Sequence, residues 1–564
     1  MAELNIPLLR KTLRFDVAIT WLEQDAGDDF FPDTFNYKDI AKNAETYLEN
    51  RKHRFLSFEQ IGMIREYVPK KNLMLREAVQ LHPLHRLIYL SILHYLLPKL
   101  DHRFLHGVYS YRHDLPDEPD KYPFGKKMER WKHFHNDFRT RAMDPSNGAI
   151  LLTDLSSFYD HISCEQLCLR IRSLLGASIT DIDDQVIRLL LQLLKQWSVD
   201  GYGIPQNMDP SNLFGSLYLH NVDEAITHDR FQYFRWVDDI RIVAKNRDQA
   251  IRALQALQRE CEKYRLFLAS DKTEIVTRDN PKYAQLLDVE DDEILSKAED
   301  FKNAGDCAAI TANLDNLFSR LEKHADPKGD DRKFRAYANR ILDAADFPPI
   351  RTDSLAKVVD FVKTRFESHP ERSDQWAKML SQAPAEQIIP IVEKLLVDQV
   401  SLFDWQRFYL WKLVLHLPAP LTSKLLEKAR EVSSSTLSEA VSSQAILVVG
   451  KFGTNALREG LFLDQFTTQR SFGSQRAVLI AIQELPLEVR EKFYRRALEV
   501  IPEHRELVMY LQSLPQPQYG TPRRTERVCK DVPTDLKADI LRGIGMVNGV
   551  VRRFRLTYGD YDYD

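Results

Sequence analysis

Two neighbouring aspartates near the middle of the chain constrain its fold more than any other feature. Asp238 and Asp239 lie between two β-prone arms, FQYFRWV and IRIVA. Such arms predict an antiparallel hairpin with both carboxylates at its tip. Because buried neighbouring carboxylates repel each other, an apolar hairpin of this kind requires a cation beside its tip. For an Asp-Asp pair taken alone, a solvated turn is the simpler explanation.

A third aspartate stands in a similar setting. The β-prone run from Ile150 to Thr153 predicts a strand that ends at Asp154. Ser163 is the predicted N-cap of the following helix, with Gln166 three residues later, and Gly176 is its predicted end. A second strand that ends in an aspartate weakens the solvated-turn explanation and favours one shared cation site.

A loop-to-helix junction separates these two regions. The turn Gly203-Ile204-Pro205-Gln206 leads into an apolar helix that is predicted to begin near Ser211. Such a turn can hold backbone groups against a nucleotide or a template base. An ordinary junction without a ligand remains the alternative.

Together these segments resemble the palm of reverse transcriptases, and they occur in that family's order. The resemblance rests on four motifs: Asp154 followed by Phe158 and Tyr159, Gly203-Ile204-Pro205-Gln206 with Ser211 at the head of its helix, Trp236-Val237-Asp238-Asp239, and LFLASDKTEIV with Lys272. Upstream, VPKKNLMLREA and the SYR at 110–112 resemble the fingers of the same family. The resemblance therefore covers residues 10–340.

The resemblance implies a catalytic site that binds two Mg²⁺ ions, for which Mn²⁺ is a substitute. Asp154 and Asp238 would hold both ions, Asp239 would assist one, and the backbone carbonyl of Leu155 would be a further ligand. These residue types suit the chemistry, because magnesium is a hard ion held by a few carboxylates together with substrate phosphates.

The resemblance also implies residues that bind the nucleotide. Tyr159 would lie beneath the incoming sugar, where its ring leaves no room for a 2′-hydroxyl and so selects deoxynucleotides. The other implied nucleotide-binding residues are Lys70, Lys71, Arg76, Gln206 and Lys272. For the lysines, a solvated surface position is the alternative.

Gly203, Pro205, Asn207 and Ser211 are the implied template and primer loop. Asn207 stands where the family usually has glycine, and Trp236 stands where tyrosine or phenylalanine is commoner. Asparagine accepts left-handed backbone geometry, so we expect the turn to persist. Tryptophan keeps a flat apolar wall, so we expect catalysis to persist as well.

The predicted fold class is an α+β right-hand polymerase with fingers, palm and a helical thumb, followed by an all-α, HEAT-like helical-repeat domain. The predicted boundaries are 1–285 for fingers and palm, 286–370 for the thumb-like segment, 371–515 for the repeats, and 516–564 for a linker and an acidic, Tyr-rich tail. Three similar stretches, which begin at Gln406, Ser443 and Ser474, suggest stacked helix pairs. An irregular helical bundle remains the alternative.

Composition bounds the remaining classes. A formal net charge of -4 neither supports nor excludes a nucleic-acid enzyme, because a local groove can be basic in an acidic protein. No long apolar run and no signal-peptide pattern occur, which predicts a cytoplasmic protein without a membrane partner. The odd cysteine count argues against a disulfide framework, and Cys164 and Cys168 are expected to be small buried side chains.

The wording GIPQ…DPSN…LYLHNVDEAI and the helical second half resemble the bacterial abortive-infection and defence-associated reverse transcriptases. No RNase H, integrase or Cys/His-rich endonuclease pattern occurs. The resemblance implies antiphage defence by a homo-oligomer that uses dNTPs, with single-stranded DNA or RNA as product or template and a non-coding RNA left open as a partner. It also implies protein priming, for which Tyr558, Tyr561 and Tyr563 in the tail are candidates. A solvated terminus is the alternative for that tail.

Three alternatives to this function stay open. The first is an intron-like or retron-like enzyme that copies a dedicated RNA. The second is extension of DNA by the same site without a template. The third is a non-catalytic RNA-binding or toxin scaffold, which the three intact aspartates argue against.

Overall fold

The computed structural model describes residues 4–52, 63–71, 73–229, 231–325, 329–398, 401–520, 527, 529 and 530. In this part of the chain, no helix is both long and apolar enough to cross a membrane. The strands are β1 (Ile64–Pro69), β2 (Leu75–Gln80), β3 (Ala149–Thr153), β4 (Gln232–Trp236), β5 (Asp239–Ala244) and β6 (Glu274–Thr277).

Helices make up most of the remainder. Those that precede residue 289 are α1 (Ile6–Thr12), α2 (Phe15–Asp25), α3 (Lys38–Lys42), α4 (Ala44–Arg51), α5 (Pro83–Leu100), α6 (Lys127–Met143), α7 (Phe158–His161), α8 (Cys164–Leu175), α9 (Asp181–Trp197), α10 (Asp209–Tyr218), α11 (His220–His228), α12 (Arg247–Lys263) and α13 (Pro281–Leu287). Those that follow are α14 (Glu290–Ala304), α15 (Cys307–Ala325), α16 (Asp331–Ala344), α17 (Pro348–Lys363), α18 (Arg365–Ser368), α19 (Ser373–Leu380), α20 (Ala385–Leu396), α21 (Asp404–Val414), α22 (Ser423–Ser433), α23 (Glu439–Phe452), α24 (Asn455–Gln465), α25 (Phe472–Ala481), α26 (Leu487–Val500) and α27 (Arg505–Ser513).

The chain divides into two compact units. The first comprises Met1–Asp25, Leu48–Met63 and Leu81–Asp288, and the second comprises Ala26–Tyr47, Ile64–Gln80 and Val289–Asp564. The main division, at Asp288, lies near the predicted end of the palm at residue 285. The second unit also takes in two early segments that the sequence assigned to the fingers. The four-part division itself stays a prediction.

A four-stranded antiparallel sheet, in the order β4-β5-β3-β6, is the centre of the first unit. Helix α12 packs on β3, β5 and β6, and α6 packs on β4 and β5. Helix α5 is buried along most of its length, and its first turn is capped by the His82 side chain. It packs against α2 and α10 in the same unit. The packing of α12 and α6 buries the strands that carry the aspartates.

The second unit is mainly helical, and a hairpin of β1 and β2 is part of it. Glu66 in β1 is buried and accepts hydrogen bonds from the Ser438 hydroxyl and the Ala440 amide at the start of α23. Arg476 in α25 is buried between Asp33 and Asp39. Early segments of the chain are thus tied to the helices by buried polar contacts.

The cysteine expectation was wrong in one respect. Cys307 and Cys529 form a disulfide across a sequence separation of 222 residues. The adjoining residues support this pairing, since the Lys530 amide donates to the Gly305 carbonyl at 2.8 Å. Such a pair depends on proximity in the fold, which neither cysteine count nor spacing reveals. Cys164 and Cys168 are free and buried, as expected.

Candidate active site

Asp154 follows the last residue of β3, where the sequence predicted it. The Ala269 amide donates to the Asp154 carbonyl at 2.8 Å, so the segment before β6 holds the backbone at this point. The Asp154 side chain is largely buried and forms an ion pair with Lys272. Ser163 caps the following α8 by accepting from the Gln166 amide, and Gly176 is the C-cap, as predicted.

The predicted hairpin is confirmed as β4 and β5, with one refinement. Asp239 is already the first residue of β5 and pairs with Trp236, so that Val237 and Asp238 form the turn. On the other side of β5, Thr153 lies opposite Ile240. Asp154 and Asp239 are therefore the next positions along two adjoining antiparallel strands. The backbone therefore brings their carboxylates to the same end of the two central strands.

Two of the carboxylates face cations in this arrangement. Asp239 pairs with Arg241 at 3.1 Å, as Asp154 does with Lys272. Within the described residues, no three His, Cys, Asp or Glu side chains are grouped as a metal ion requires. The donor set nevertheless suits a hard cation. Oδ1 of Asp154 is buried and accepts no hydrogen bond from any described residue, so it has capacity for a ligand.

The Gly203–Gln206 turn lies directly against the segment that follows Asp154. The Gly203 amide donates to the Ile162 carbonyl at 2.9 Å, and the Ile204 amide donates to the Tyr159 carbonyl at 3.2 Å. Gly203 has a φ of 93°, a backbone conformation that residues other than glycine rarely adopt. Gln206 donates to Asp160 at 3.0 Å. Pro205 is buried. Backbone hydrogen bonds therefore hold this turn against the segment that follows Asp154.

Asn207 has a φ of 57°, which confirms that asparagine takes the left-handed conformation at this turn. The helix that follows, α10, begins at Asp209, two residues before the predicted start at Ser211. Ser211 is fully buried and its hydroxyl lies 2.9 Å from the Tyr89 hydroxyl. Its contact with Tyr89 is internal packing, and its role in a template loop stays a prediction.

Tyr159 lies beside the Gly203–Gln206 turn, since its carbonyl accepts from the Ile204 amide. Its hydroxyl donates to Oδ1 of Asn212 in α10. Its ring is tilted against Phe158 at a centroid distance of 5.2 Å. Because both ends of the side chain have contacts, the ring is held in a defined position. Asn212 was not singled out from the sequence.

The remaining nucleotide-binding candidates lie in the second unit. Lys71 donates to the Gly329 carbonyl at 2.8 Å, and the Arg76 guanidinium lies 5.8 Å from the centre of the Phe30 ring. The Lys70 amide closes the β1–β2 turn by donating to Met74. Their roles stay predictions. The priming candidates Tyr558, Tyr561 and Tyr563 lie outside the described residues.

A buried polar network beneath the β4–β5 hairpin was not predicted from the sequence. Arg235 in β4 is fully buried and pairs with Asp223 of α11 at 2.5 Å. Burial alone would lower the pKa of the Arg235 guanidinium, but the Asp223 carboxylate raises the pKa above its ordinary value. Burial and Asp223 together raise the pKa of Tyr233, so that its hydroxyl stays a donor to Asp223. The sequence signal was present, since both charges interrupt apolar stretches.

Comparison with known proteins adds a family to this geometry. Residues 116–302 match the profile of the family described as reverse transcriptase (RNA-dependent DNA polymerase). No curated protein matches the chain. Among solved structures, the telomerase from Candida albicans in complex with a TWJ fragment of telomeric RNA is similar at 11% identity, with a TM-score of 0.28 over 84% of this chain and 68% of that chain. The matched residues include all three aspartates and both loops, and the chain therefore carries a reverse transcriptase domain.

Proposed function

We propose that this protein is a DNA polymerase that adds dNTPs to a growing strand, with Asp154, Asp238 and Asp239 as its catalytic residues. The observation that carries the proposal is the position of Asp154 and Asp239 at one edge of adjoining antiparallel strands, inside the region that matches the reverse transcriptase family. A scaffold without catalysis would gain nothing from these carboxylates, because neighbouring acidic side chains repel one another.

The three carboxylates, with the Leu155 carbonyl, would hold magnesium. Bound magnesium supplies neutralisation of the charge on the transferring phosphoryl group. The buried Oδ1 of Asp154 is the atom with capacity for such a ligand. Mn²⁺ is expected to substitute, because it takes the same oxygen ligands.

Lys272 is the residue of this site that would meet the triphosphate. Its ammonium group now lies against Asp154, and its side chain is more than half exposed. An exposed lysine on a flexible stem can exchange one anion for another without a large desolvation penalty. We infer that it turns from the carboxylate to a phosphate oxygen when a nucleotide is bound. Gln206, Lys70, Lys71 and Arg76 are the other proposed nucleotide contacts.

Tyr159 would select deoxynucleotides. Its ring is fixed by Asn212 and Phe158, so it is a rigid wall and not a mobile side chain. Rigid walls discriminate by steric exclusion. Tyr159→Val should therefore increase incorporation of rNTPs relative to dNTPs, whereas Tyr159→Phe, which keeps the ring, should not. Equal rNTP use by both variants would contradict this role.

The biological role that we propose is antiphage defence. Support comes from the motif wording and from the helical second unit, in which α21, α23 and α25 pack in succession as repeats of a HEAT-like array would. A homo-oligomer, a non-coding RNA partner and priming from a tail tyrosine belong to the same proposal. Cells that carry the Asp238→Asn variant should lose protection from phage along with DNA synthesis.

The function is tested with the purified full-length protein, Mg²⁺ and each dNTP separately, with and without a primed RNA template. Incorporation that requires Mg²⁺ and is lost on chelation supports the proposal. Extension only with template indicates copying, and extension without it indicates template-free synthesis. Absence of incorporation under every condition, with Mn²⁺ included, would refute the polymerase.

A further inference from the structure

The residue before the two hairpin aspartates has an unfavourable backbone. Val237 has a φ of 53°. For a β-branched residue a positive φ is a genuine outlier, and such conformations persist only where the surrounding structure imposes them. Val237 is also almost fully buried. Something in the first unit must therefore hold this peptide in place.

Two buried side chains bond the two polar groups of Val237. Its amide donates to the Ser110 hydroxyl at 2.9 Å, and its carbonyl accepts from Nη1 of Arg235 at 2.9 Å. Ser110 and Arg235 both have a relative exposure of 0%. Because both backbone groups are satisfied only in this orientation, rotation of the peptide would leave two buried polar groups unpaired.

Arg235 is itself fixed by its remaining donors. Nε and Nη2 donate to the two carboxylate oxygens of Asp223 at 2.8 and 2.5 Å. Nη1 and Nη2 also donate to the hydroxyl and carbonyl of Ser216 at 3.1 and 3.3 Å. Five guanidinium N–H groups thus meet five acceptors. The planar fork has a single orientation in this pocket.

Ser110 reaches the turn on a segment that runs beside β4. The Arg235 amide donates to the Gly107 carbonyl at 2.8 Å, and the Tyr109 amide donates to the Arg235 carbonyl at 3.2 Å. A Cβ atom at Gly107 would overlap the Tyr233 carbonyl oxygen, so this close approach requires glycine. The segment is therefore fastened to the strand that it supports.

We propose that Ser110 and Arg235, the latter fixed by Asp223, are positioning residues that hold Val237 in its left-handed conformation and thereby aim Asp238 and Asp239. The inference rests on the proposed function, since the aim of these carboxylates matters only if they are catalytic. Neither residue touches substrate in this role; both act through the Val237 peptide.

Ser110→Ala tests the proposal with the smallest change in volume, and Ser91→Ala is the matched control. Ser91 is equally buried in the first unit, but its hydroxyl donates to Leu87 within α5. In Ser110→Ala we expect amide exchange in peptides from 232–244 to rise about ten-fold or more, and kcat to fall about ten- to hundred-fold with the dNTP KM unchanged. Ser91→Ala should change neither quantity.

Val237→Gly supplies the decisive second variant. Glycine adopts a positive φ readily, so the turn then depends less on its support. The loss of kcat caused by Ser110→Ala should therefore be smaller in the Val237→Gly background than in the native one. Equal losses in both backgrounds, or unchanged hairpin exchange in Ser110→Ala, would overturn the proposal. If the native protein incorporates no nucleotide, the polymerase function fails, and hydrogen exchange alone decides the positioning role.

Discussion

In the part of the chain that the structure describes, two antiparallel hairpins have turns that include a non-glycine residue with positive φ. In the β4–β5 hairpin this residue is Val237, which is 1% exposed, and buried Ser110 and Arg235 bond its peptide. In the β1–β2 hairpin it is Leu73, which is 54% exposed and donates its amide to Lys70 within the same turn. Buried side chains bond the peptide of Val237, whereas Leu73 is exposed and its amide is bonded within its own turn.

The difference is informative because a left-handed residue that is bonded by buried side chains has a different role from one that is exposed. A left-handed residue that buried side chains hold on both sides keeps its neighbours in one geometry, as a metal site requires. Leu73, an exposed left-handed residue, shapes the turn that carries Lys70 and Lys71. We therefore expect substitutions in the β4–β5 hairpin to affect catalysis and stability strongly. Substitutions in the β1–β2 hairpin should affect substrate affinity or have little effect.

The largest expected effect is on the turn of the β4–β5 hairpin. Asp238→Asn keeps the shape of the side chain but removes its charge, and we expect the rate of dNTP addition to fall about 10³-fold or more. Steady-state incorporation measures this. Asp181→Asn, an exposed carboxylate at the start of α9 in the same unit, should retain full activity. Comparable activity in the two variants would remove Asp238 from the catalytic site.

Next in size is the effect of removing an arginine from each hairpin. Arg235→Met strands the Asp223 charge in the core, so the free energy of unfolding should fall by about 3–5 kcal/mol. Arg65 in β1 pairs with Glu77, but these side chains are 26% and 30% exposed. Arg65→Met should therefore lower the free energy of unfolding by less than about 1 kcal/mol. Urea denaturation measures both, and equal losses would break the comparison.

The local sequence pattern was enough to predict the β4–β5 hairpin, the position of its aspartates and the strand before Asp154. The apolar β-prone arms and the charged turn lie together in sequence. The Ser163 cap followed from local pattern as well. The support beneath the turn could not be predicted, since Ser110 and Val237 are 127 residues apart and meet only after the sheet forms. The same reason explains why the Cys307–Cys529 pair was not foreseen and why residues 64–80 belong with the helices.

A smaller effect is expected for a cation of the β1–β2 hairpin. Arg76→Gln should raise the dNTP KM about ten-fold with kcat nearly unchanged, because loss of the proposed charged contact to phosphate would weaken ground-state and transition-state binding alike. Initial rates at varied dNTP concentration separate the two constants. Arg65→Gln in the same hairpin is the control and should leave KM unchanged. A drop in kcat for Arg76→Gln would give this hairpin a role in the chemical step.

The smallest effect comes from the exposed turn itself, and here the sign differs from that of every other substitution. Leu73→Gly removes a left-handed strain of about 1–2 kcal/mol and adds about 0.5–1 kcal/mol of chain entropy to the unfolded state, so the protein should become more stable by up to about 1.5 kcal/mol. Leu75, which is 52% exposed, lies in β2 without a positive φ. Leu75→Gly should therefore destabilise the protein by about 0.5–1 kcal/mol. If denaturation shows equal losses for both, Leu73 is supported by its surroundings after all, and the two turns are alike.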